Sequence, residues 1–129
     1  MRSDRPVIAL FCGSRDWTDR EKIRRDLRTL PEGSIVIEGG ARGADRIARE
    51  EAQALGIHVA TVDALWGFHG RSGGYRRNEA MLRLQPEIVF AYPLGGPGTE
   101  NMIRLAEEQS IPVLERTTAH DRQPVQALR

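Results

Sequence analysis

The chain has 129 residues, a formal net charge of +1 and a single cysteine, Cys12. This length is typical of one domain, the charge argues against binding nucleic acid through an overall positive excess, and one cysteine excludes an internal disulfide. The sequence has no apolar stretch of the length required for a membrane span or a signal peptide, so we expect a cytoplasmic protein with no membrane partner.

Short apolar runs recur along the chain at regular intervals. They lie at residues 7–11, 35–37, 57–62, 88–91 and 112–114. Runs that are apolar on both faces are typical of buried parallel strands, so we interpret these segments as five strands.

Segments with helical periodicity of apolar residues lie between the predicted strands. The predicted apolar faces are Ile23, Leu27 and Leu30 in the first helix, Ala48, Ala52 and Leu55 in the second, Met81 and Leu84 in the third, and Met102, Ile103 and Ala106 in the fourth. Thr18 and Glu21 predict a capping box at the start of the first helix. The alternation predicts an α/β, Rossmann-like three-layer sandwich with a parallel five-stranded sheet in the order 3-2-1-4-5.

Two stretches fall outside this alternation. Residues 63–74 form a long glycine- and aromatic-containing connection, which we interpret as a functional loop. Residues 117–129 are polar without apolar periodicity, and we expect a flexible tail after a single domain over residues 1–116.

Three glycine-rich turns follow predicted strands. The first glycine turn is residues 13–15, the second is residues 39–45 and the third is residues 95–99. In an open parallel sheet, ligands bind beyond the carboxyl ends of the strands, where glycine backbone and helix N-termini bind anions. The turns therefore predict a cradle for phosphate or ribose. None of them matches the ATP-binding P-loop or the G-x-G-x-x-G dinucleotide fingerprint, and we expect no resident cofactor.

The candidate ligand-binding residues come from these turns, the connection and the third helix. They are Gly13, Ser14, Arg15, Trp17, Gly39, Gly40, Arg42, Gly43, Asp45, Trp66, His69, Arg77, Asn78, Gly95, Gly96, Gly98, Thr99 and Glu100. Arginines clamp phosphate with paired N–H donors, and Trp17 or Trp66 either stacks on a base or packs beneath its loop. Ser14, Thr99 and Asn78 fit phosphate binding or helix capping equally. His69 and Cys12 lack metal-ligand spacing, so we expect no metal site.

Glu100 and Asp45 are the candidate catalytic residues. A carboxylate at the ligand edge acts as a general base or stabilises an oxocarbenium ion in glycosidic-bond cleavage. Asp45 also begins the second helix, where it equally suits a capping role. Without distances between them, the two carboxylates stay separate candidates.

The motifs in residues 13–17, 39–45, 66–70, 77–81 and 95–99 occur in the order found in a known family. The chain resembles the SLOG superfamily and, within it, the short YspA/YpsA-related proteins. This resemblance implies a Rossmann-like fold that binds a nucleotide or nucleotide derivative, as a sensor or sequestering module.

Related branches of the superfamily provide two alternatives. Arg77 and Met81 match LOG-type phosphoribohydrolases, which cleave the N-glycosidic bond of nucleoside monophosphates, but Met102 occupies the position of their catalytic glutamate. DprA, a single-strand DNA-binding relative, is disfavoured by the near-neutral charge. Because LOG-type relatives self-associate, the resemblance also implies a homodimer.

Overall fold

The computed structural model describes residues 5–64 and 73–117. The strands in these residues are β1 (Ile8–Gly13), β2 (Ile35–Glu38), β3 (His58–Thr61), β4 (Ile88–Tyr92) and β5 (Val113–Glu115). The helices are α1 (Arg20–Leu27), α2 (Ala44–Ala54), α3 (Gly73–Arg83) and α4 (Pro97–Glu108).

The five strands form one parallel sheet in the order β3-β2-β1-β4-β5, which confirms the predicted fold and strand order. β1 pairs with β2 on one side and β4 on the other, with Gly13 opposite Tyr92. The strand order reverses between β1 and β4, so the crevice at their carboxyl ends is the topological switch point.

A hydrophobic layer covers each face of the sheet. The layer beneath α1 and α2 contains stacked Phe11 and Phe90, whose ring centroids are 4.6 Å apart, and Trp17 packs against Tyr92 at 5.3 Å. The layer beneath α3 and α4 includes Met81 and Met102. β1 and β4 are therefore covered on both faces, as their apolar runs predicted, whereas the edge strand β3 is only partly buried.

Local signals misplaced two helix starts. The N-cap of α1 is Asp19, whose carboxylate accepts the N–H of Lys22 at 3.1 Å, so the predicted capping box at Thr18 is wrong by one residue. The third helix begins at Gly73 and places Asn78 in its interior, so Asn78 does not cap it. Leu84 is also exposed, while Leu82 packs in the core beside Met81.

A buried ionic cluster that the sequence analysis missed ties α1 to the sheet. The carboxylate of Asp26 accepts hydrogen bonds from Arg116 at 2.8 and 3.1 Å and from the hydroxyl of Tyr92 at 2.8 Å. Burial and the neighbouring Asp26 raise the pKa of Tyr92 above its ordinary value, so its hydroxyl remains a donor. Its members are distant in sequence, and only the fold brings them together.

Two predicted segments lie partly outside the described residues. The described residues leave out positions 65–72 of the predicted functional loop, which include Trp66 and His69. They also leave out positions 118–129 of the predicted tail. In the part of the chain that the structure describes, no helix has both the length and the apolar character of a membrane span. Within the same residues, no group of three or more His, Cys, Asp or Glu side chains is arranged to hold a metal ion.

Candidate functional site

A cavity of about 420 Å³ lies at the switch point, and we call it the central cavity. Its lining comes from four regions of the chain. These are residues 12–16 at the end of β1, residues 41, 42 and 45 of the second glycine turn, residues 74, 75, 77, 78 and 81 of α3, and residues 96–99 at the start of α4. The site therefore draws on all three glycine turns, although the turns contribute in different ways.

The first glycine turn is held by its backbone. A Cβ at Gly13 would lie 2.6 Å from the carbonyl oxygen of Tyr92, so only glycine fits there. The N–H of Ser14 donates to that same carbonyl at 2.9 Å, and the Ser14 hydroxyl accepts the N–H of Asp16 at 3.0 Å. The Ser14 N–H is therefore not available to a phosphate. Only the hydroxyl hydrogen of Ser14 can still donate to a ligand.

The second glycine turn is closed by two buried carboxylates. Asp45 accepts the N–H groups of Gly39 at 3.1 Å and Ala41 at 3.4 Å, while Glu38 accepts the N–H of Gly40 at 2.7 Å. Glu38 is fully buried and also accepts a short hydrogen bond from the hydroxyl of Thr61. These N–H groups are already engaged, so a ligand contact of Gly39 or Gly40, which stays a prediction, would not use them.

Gly43 joins the first turn to the second. Its φ is +79°, and a Cβ there would lie 2.4 Å from the carbonyl oxygen of Ser14 and 2.5 Å from the backbone of Arg15. The N–H of Ala44 also donates to the Ser14 carbonyl at 3.1 Å. Gly43 is absent from the cavity lining, so it shapes the site by close backbone packing and does not contact the space where a ligand would lie.

Asp45 lines the central cavity from a nearly fully buried position. Burial raises its pKa to about 7, the nearby Arg77 guanidinium opposes the rise, and Glu38 adds to it. Arg77 is held above the turn, because its Nη1 donates to the carbonyl of Gly39 at 3.1 Å. Gly39 must lack a side chain here, since a Cβ would lie 2.8 Å from Arg77. The pair gives the cavity a carboxyl group that titrates near neutral pH beside a fixed cation.

The third glycine turn is open. Gly96 is the N-cap of α4, no side chain caps this end, and Pro97 is the first helical residue. The N–H groups of the next residues, Gly98 and Thr99, have no acceptor within the helix and lie where the positive end of the helix dipole faces the cavity. A Cβ at Gly96 or Gly98 would meet no atom within 4 Å. The N–H groups of residues 98 and 99 are therefore open to an acceptor, in contrast to those of residues 39–41.

Asn78 links α3 to the start of α4. Its side-chain N–H₂ donates to the carbonyl of Gly98 at 3.1 Å and to the side chain of Asn101 at 2.9 Å. Asn78 therefore positions the open turn, and its amide donors are already engaged.

The structure separates the two candidate catalytic carboxylates. Glu100 lines an outer groove with Gly95, Asn101 and Arg104, whereas Asp45 lines the central cavity. Met102 is fully buried in the layer beneath α4 and also does not line the cavity. Because the outer groove shares Tyr75 and Pro97 with the central cavity, the assignment of Glu100 and Gly95 to the ligand site stays a prediction.

Aromatic residues at the site differ from those predicted. Trp17 is only 3% exposed, and its indole N–H donates to the carbonyl of Asp19, so its proposed stacking on a base is wrong. Tyr75, at the start of α3, is 44% exposed and lines the cavity. The sequence analysis missed it, although its position directly after two glycines marked the end of the connection. Trp66 and His69 lie outside the described residues.

Arg15 and Arg42 are exposed at the mouth of the central cavity, and their contact with a phosphate stays a prediction. Arg42 lies 3.5 Å from the carboxylate of Asp16, and both side chains are more than half exposed. Cys12 forms part of the cavity floor, where burial raises the pKa of its thiol well above the ordinary value. The arginines at the mouth are thus exposed, whereas the buried part of the cavity holds Cys12 and the Asp45–Arg77 pair.

Comparisons with known proteins agree with the fold. A family model described as the YspA, cpYpsA-related SLOG family matches residues 7–69. The chain is 37% identical over 115 residues to the Gene 61 protein of Mycobacterium phage D29, covering 81% of this chain and 92% of the phage protein. It also resembles the X-ray structure of DNA processing protein A (DprA) from Streptococcus pneumoniae, with a TM-score of 0.70 at 17% identity. That match covers 85% of this chain and 50% of DprA, so the chain spans half of the DprA chain and the likeness concerns the fold alone.

Proposed function

The chain belongs to the YspA, cpYpsA-related SLOG family, and we propose that it binds a nucleotide or nucleotide derivative in the central cavity. The observation that carries this proposal is the uncapped N-terminus of α4, which opens into a cavity that Arg15 and Arg77 also line. Backbone N–H groups, a helix dipole and guanidinium groups converge on one space, which is the chemistry that recognises a phosphate.

The size and lining of the cavity suit a small ligand. Its volume of about 420 Å³ lies within the range of small-molecule sites, roughly 300–1,000 Å³. Tyr75 offers an exposed aromatic face for a base, in place of the buried Trp17. We therefore assign the phosphate to residues 98 and 99, with Arg77 beside it, and the base to Tyr75.

Thermal-shift and calorimetric titrations with nucleoside phosphates, cyclic nucleotides and ADP-ribose-like compounds test the proposal. We expect stabilisation by at least one of them, and about tenfold weaker binding for Tyr75→Ala, because base stacking contributes roughly 1–3 kcal/mol. Leu84→Ala is the matched control, since Leu84 is a similarly exposed residue directly after α3 that lines neither the central cavity nor the outer groove. If no compound binds, or if both variants lose affinity equally, the assignment is wrong.

An oligonucleotide arm separates this proposal from DNA binding. A single-stranded oligothymidylate titrated at two salt concentrations should show no binding that weakens with salt, because the overall charge is only +1. Tight, salt-dependent binding of the oligonucleotide in the absence of nucleotide binding would favour a DNA-binding function.

The second candidate function is hydrolysis of an N-glycosidic or phosphoribosyl bond. The observation that favours it is the carboxyl group of Asp45 in the central cavity. A cavity carboxyl with a pKa of about 7 suits general acid–base work near neutral pH. Incubation with nucleoside 5′-monophosphates should then release free base, and Asp45→Asn should abolish that release while nucleotide binding remains. Because Glu100 lies in a different groove, Glu100→Gln should leave any such activity unchanged.

A further inference from the structure

A second cavity of about 460 Å³ adjoins the central cavity on the side of β2 and β3, and we call it the arginine lobe. Its charged lining is Arg15, Arg42, Arg46, Arg77 and Asp63. Arg15, Arg42 and Arg77 also line the central cavity, so the two spaces are adjacent and share these lining residues. A ligand seated in one cavity can therefore extend into the other.

The two spaces differ in charge. The central cavity is lined by three arginines and two aspartates, Asp16 and Asp45, whereas the arginine lobe has four arginines and one aspartate. The lobe is therefore the more positive of the two. This excess is local, because the whole chain has a net charge of only +1.

Closely packed glycine backbone forms the floor of the lobe. Gly39 and Gly40 lie in its lining, and a Cβ at Gly40 would lie 2.4 Å from the carboxylate of Asp63. Because the N–H groups of this floor already donate to Glu38 and Asp45, an anion here is recognised by guanidinium groups and not by backbone. Planar guanidinium groups bind phosphate through paired N–H donors.

Two of the arginines are placed for such contacts. Arg77 is held between the two spaces by its hydrogen bond to the carbonyl of Gly39. Arg42 contacts Asp16 at 3.5 Å in an exposed pair, and exposed pairs of this kind contribute little free energy. A phosphoryl oxygen can therefore replace Asp16 at small cost.

Resting on the proposed nucleotide site, we infer that the ligand carries two linked phosphoryl groups, as a nucleoside 5′-diphosphate does. One phosphoryl group lies at the N-terminus of α4 in the central cavity, and the other lies in the arginine lobe between Arg42, Arg46 and Arg77. The nucleoside remains on the Tyr75 side of the central cavity.

The test compares nucleoside 5′-monophosphates with the matching 5′-diphosphates by calorimetric titration of the full chain. The informative variant is Arg46→Gln, because Arg46 lines the arginine lobe and not the central cavity. Arg49→Gln is the matched control, since Arg49 lies on the same helix and lines neither space. Inorganic phosphate is titrated as a probe without a nucleoside.

We expect the diphosphate to bind wild-type protein at least about tenfold more tightly than the monophosphate, since hydrogen bonds to charged groups are strong. Arg46→Gln should remove most of that difference while leaving monophosphate affinity unchanged, and Arg49→Gln should change neither affinity. Equal affinities for mono- and diphosphate, or equal losses in the two variants, would overturn the inference and leave the proposed nucleotide site standing. If neither nucleotide binds, the proposed function and this inference both fail.

Discussion

The glycines of the second turn, between β2 and α2, are closely packed by neighbouring groups, whereas those of the third turn, between β4 and α4, have open space around them. A Cβ at Gly39, Gly40 or Gly43 would lie under 3 Å from another group, while a Cβ at Gly96 or Gly98 would meet nothing within 4 Å. The backbone donors follow the same division, because buried carboxylates accept those of residues 39–41 and no side chain caps α4.

This difference shows that glycine-rich turns after parallel strands serve two physical purposes. In the second turn glycine permits close approach of backbone and side chains, which fixes Asp45 and Arg77 in place. In the third turn the same residue type leaves open space beside the N–H groups of the helix end, to which we assign the proposed phosphate. The following substitutions test that division.

Gly43→Ala should have the largest effect. The φ of +79° and ψ of −131° at this residue are open to glycine almost alone, and the new Cβ would press on backbone atoms 2.4–2.5 Å away. We expect a loss of about 3 kcal/mol or more in the free energy of unfolding, measured by urea denaturation. Gly56→Ala is the control, because Gly56 has φ +75° but open space around it, and it should cost about 1 kcal/mol. Equal losses in the two variants would show that the close packing at Gly43 is unimportant.

Gly96→Asp should separate stability from binding in the open turn. Gly96 has an extended backbone suited to an N-cap, and an aspartate there would accept the N–H groups that we assign to the ligand phosphate. We expect a gain of about 0.5–1 kcal/mol in stability together with a loss of nucleotide affinity of about 100-fold. Thermal unfolding and calorimetric titration measure the two effects, and Gly96→Asn provides the cap without the charge. Unchanged affinity in Gly96→Asp would remove the phosphate from this helix end.

Asp45→Asn should change the pH dependence of stability. The folded-state pKa of Asp45 is raised from 3.8 to about 7, so the folded state binds more protons than the unfolded state between these values. Its contribution to stability is thus greatest at low pH and falls by at most about 1.4 kcal/mol per pH unit as pH rises from about 4 to 7. Denaturation curves from pH 4 to 8 should show this decline in wild type and a shallower one in the variant. Parallel profiles would mean that Asp45 titrates near its ordinary pKa.

Gly98→Ala should have the smallest effect on stability. Alanine favours a helix over glycine, and the space around Gly98 is open, so we expect a gain of about 0.5 kcal/mol by urea denaturation. The methyl group would extend toward the proposed phosphate, so nucleotide affinity should fall modestly in the same variant. A loss of stability would show that the third turn is more crowded than its empty surroundings indicate.

The sequence by itself determined the sheet and its order. Five short apolar runs separated by amphipathic segments leave a parallel α/β sheet as the architecture that buries both strand faces, and the order 3-2-1-4-5 was predicted correctly. The same reasoning predicted a ligand site where the strand order reverses, and the central cavity is lined by residues that follow β1 and β4.

Only the tertiary structure decided what each site residue does. Trp17 and Tyr75 are both aromatic residues near glycines, yet one is buried against Tyr92 and the other is exposed beside the cavity. The three glycine turns are likewise similar in sequence, and the carboxylates that close the second turn come from Glu38, directly before it, and from Asp45, its last residue. Exposure and hydrogen-bond partners depend on how separate elements pack, so residue type and spacing could place the glycine turns at one sheet edge but could not show which of them was open.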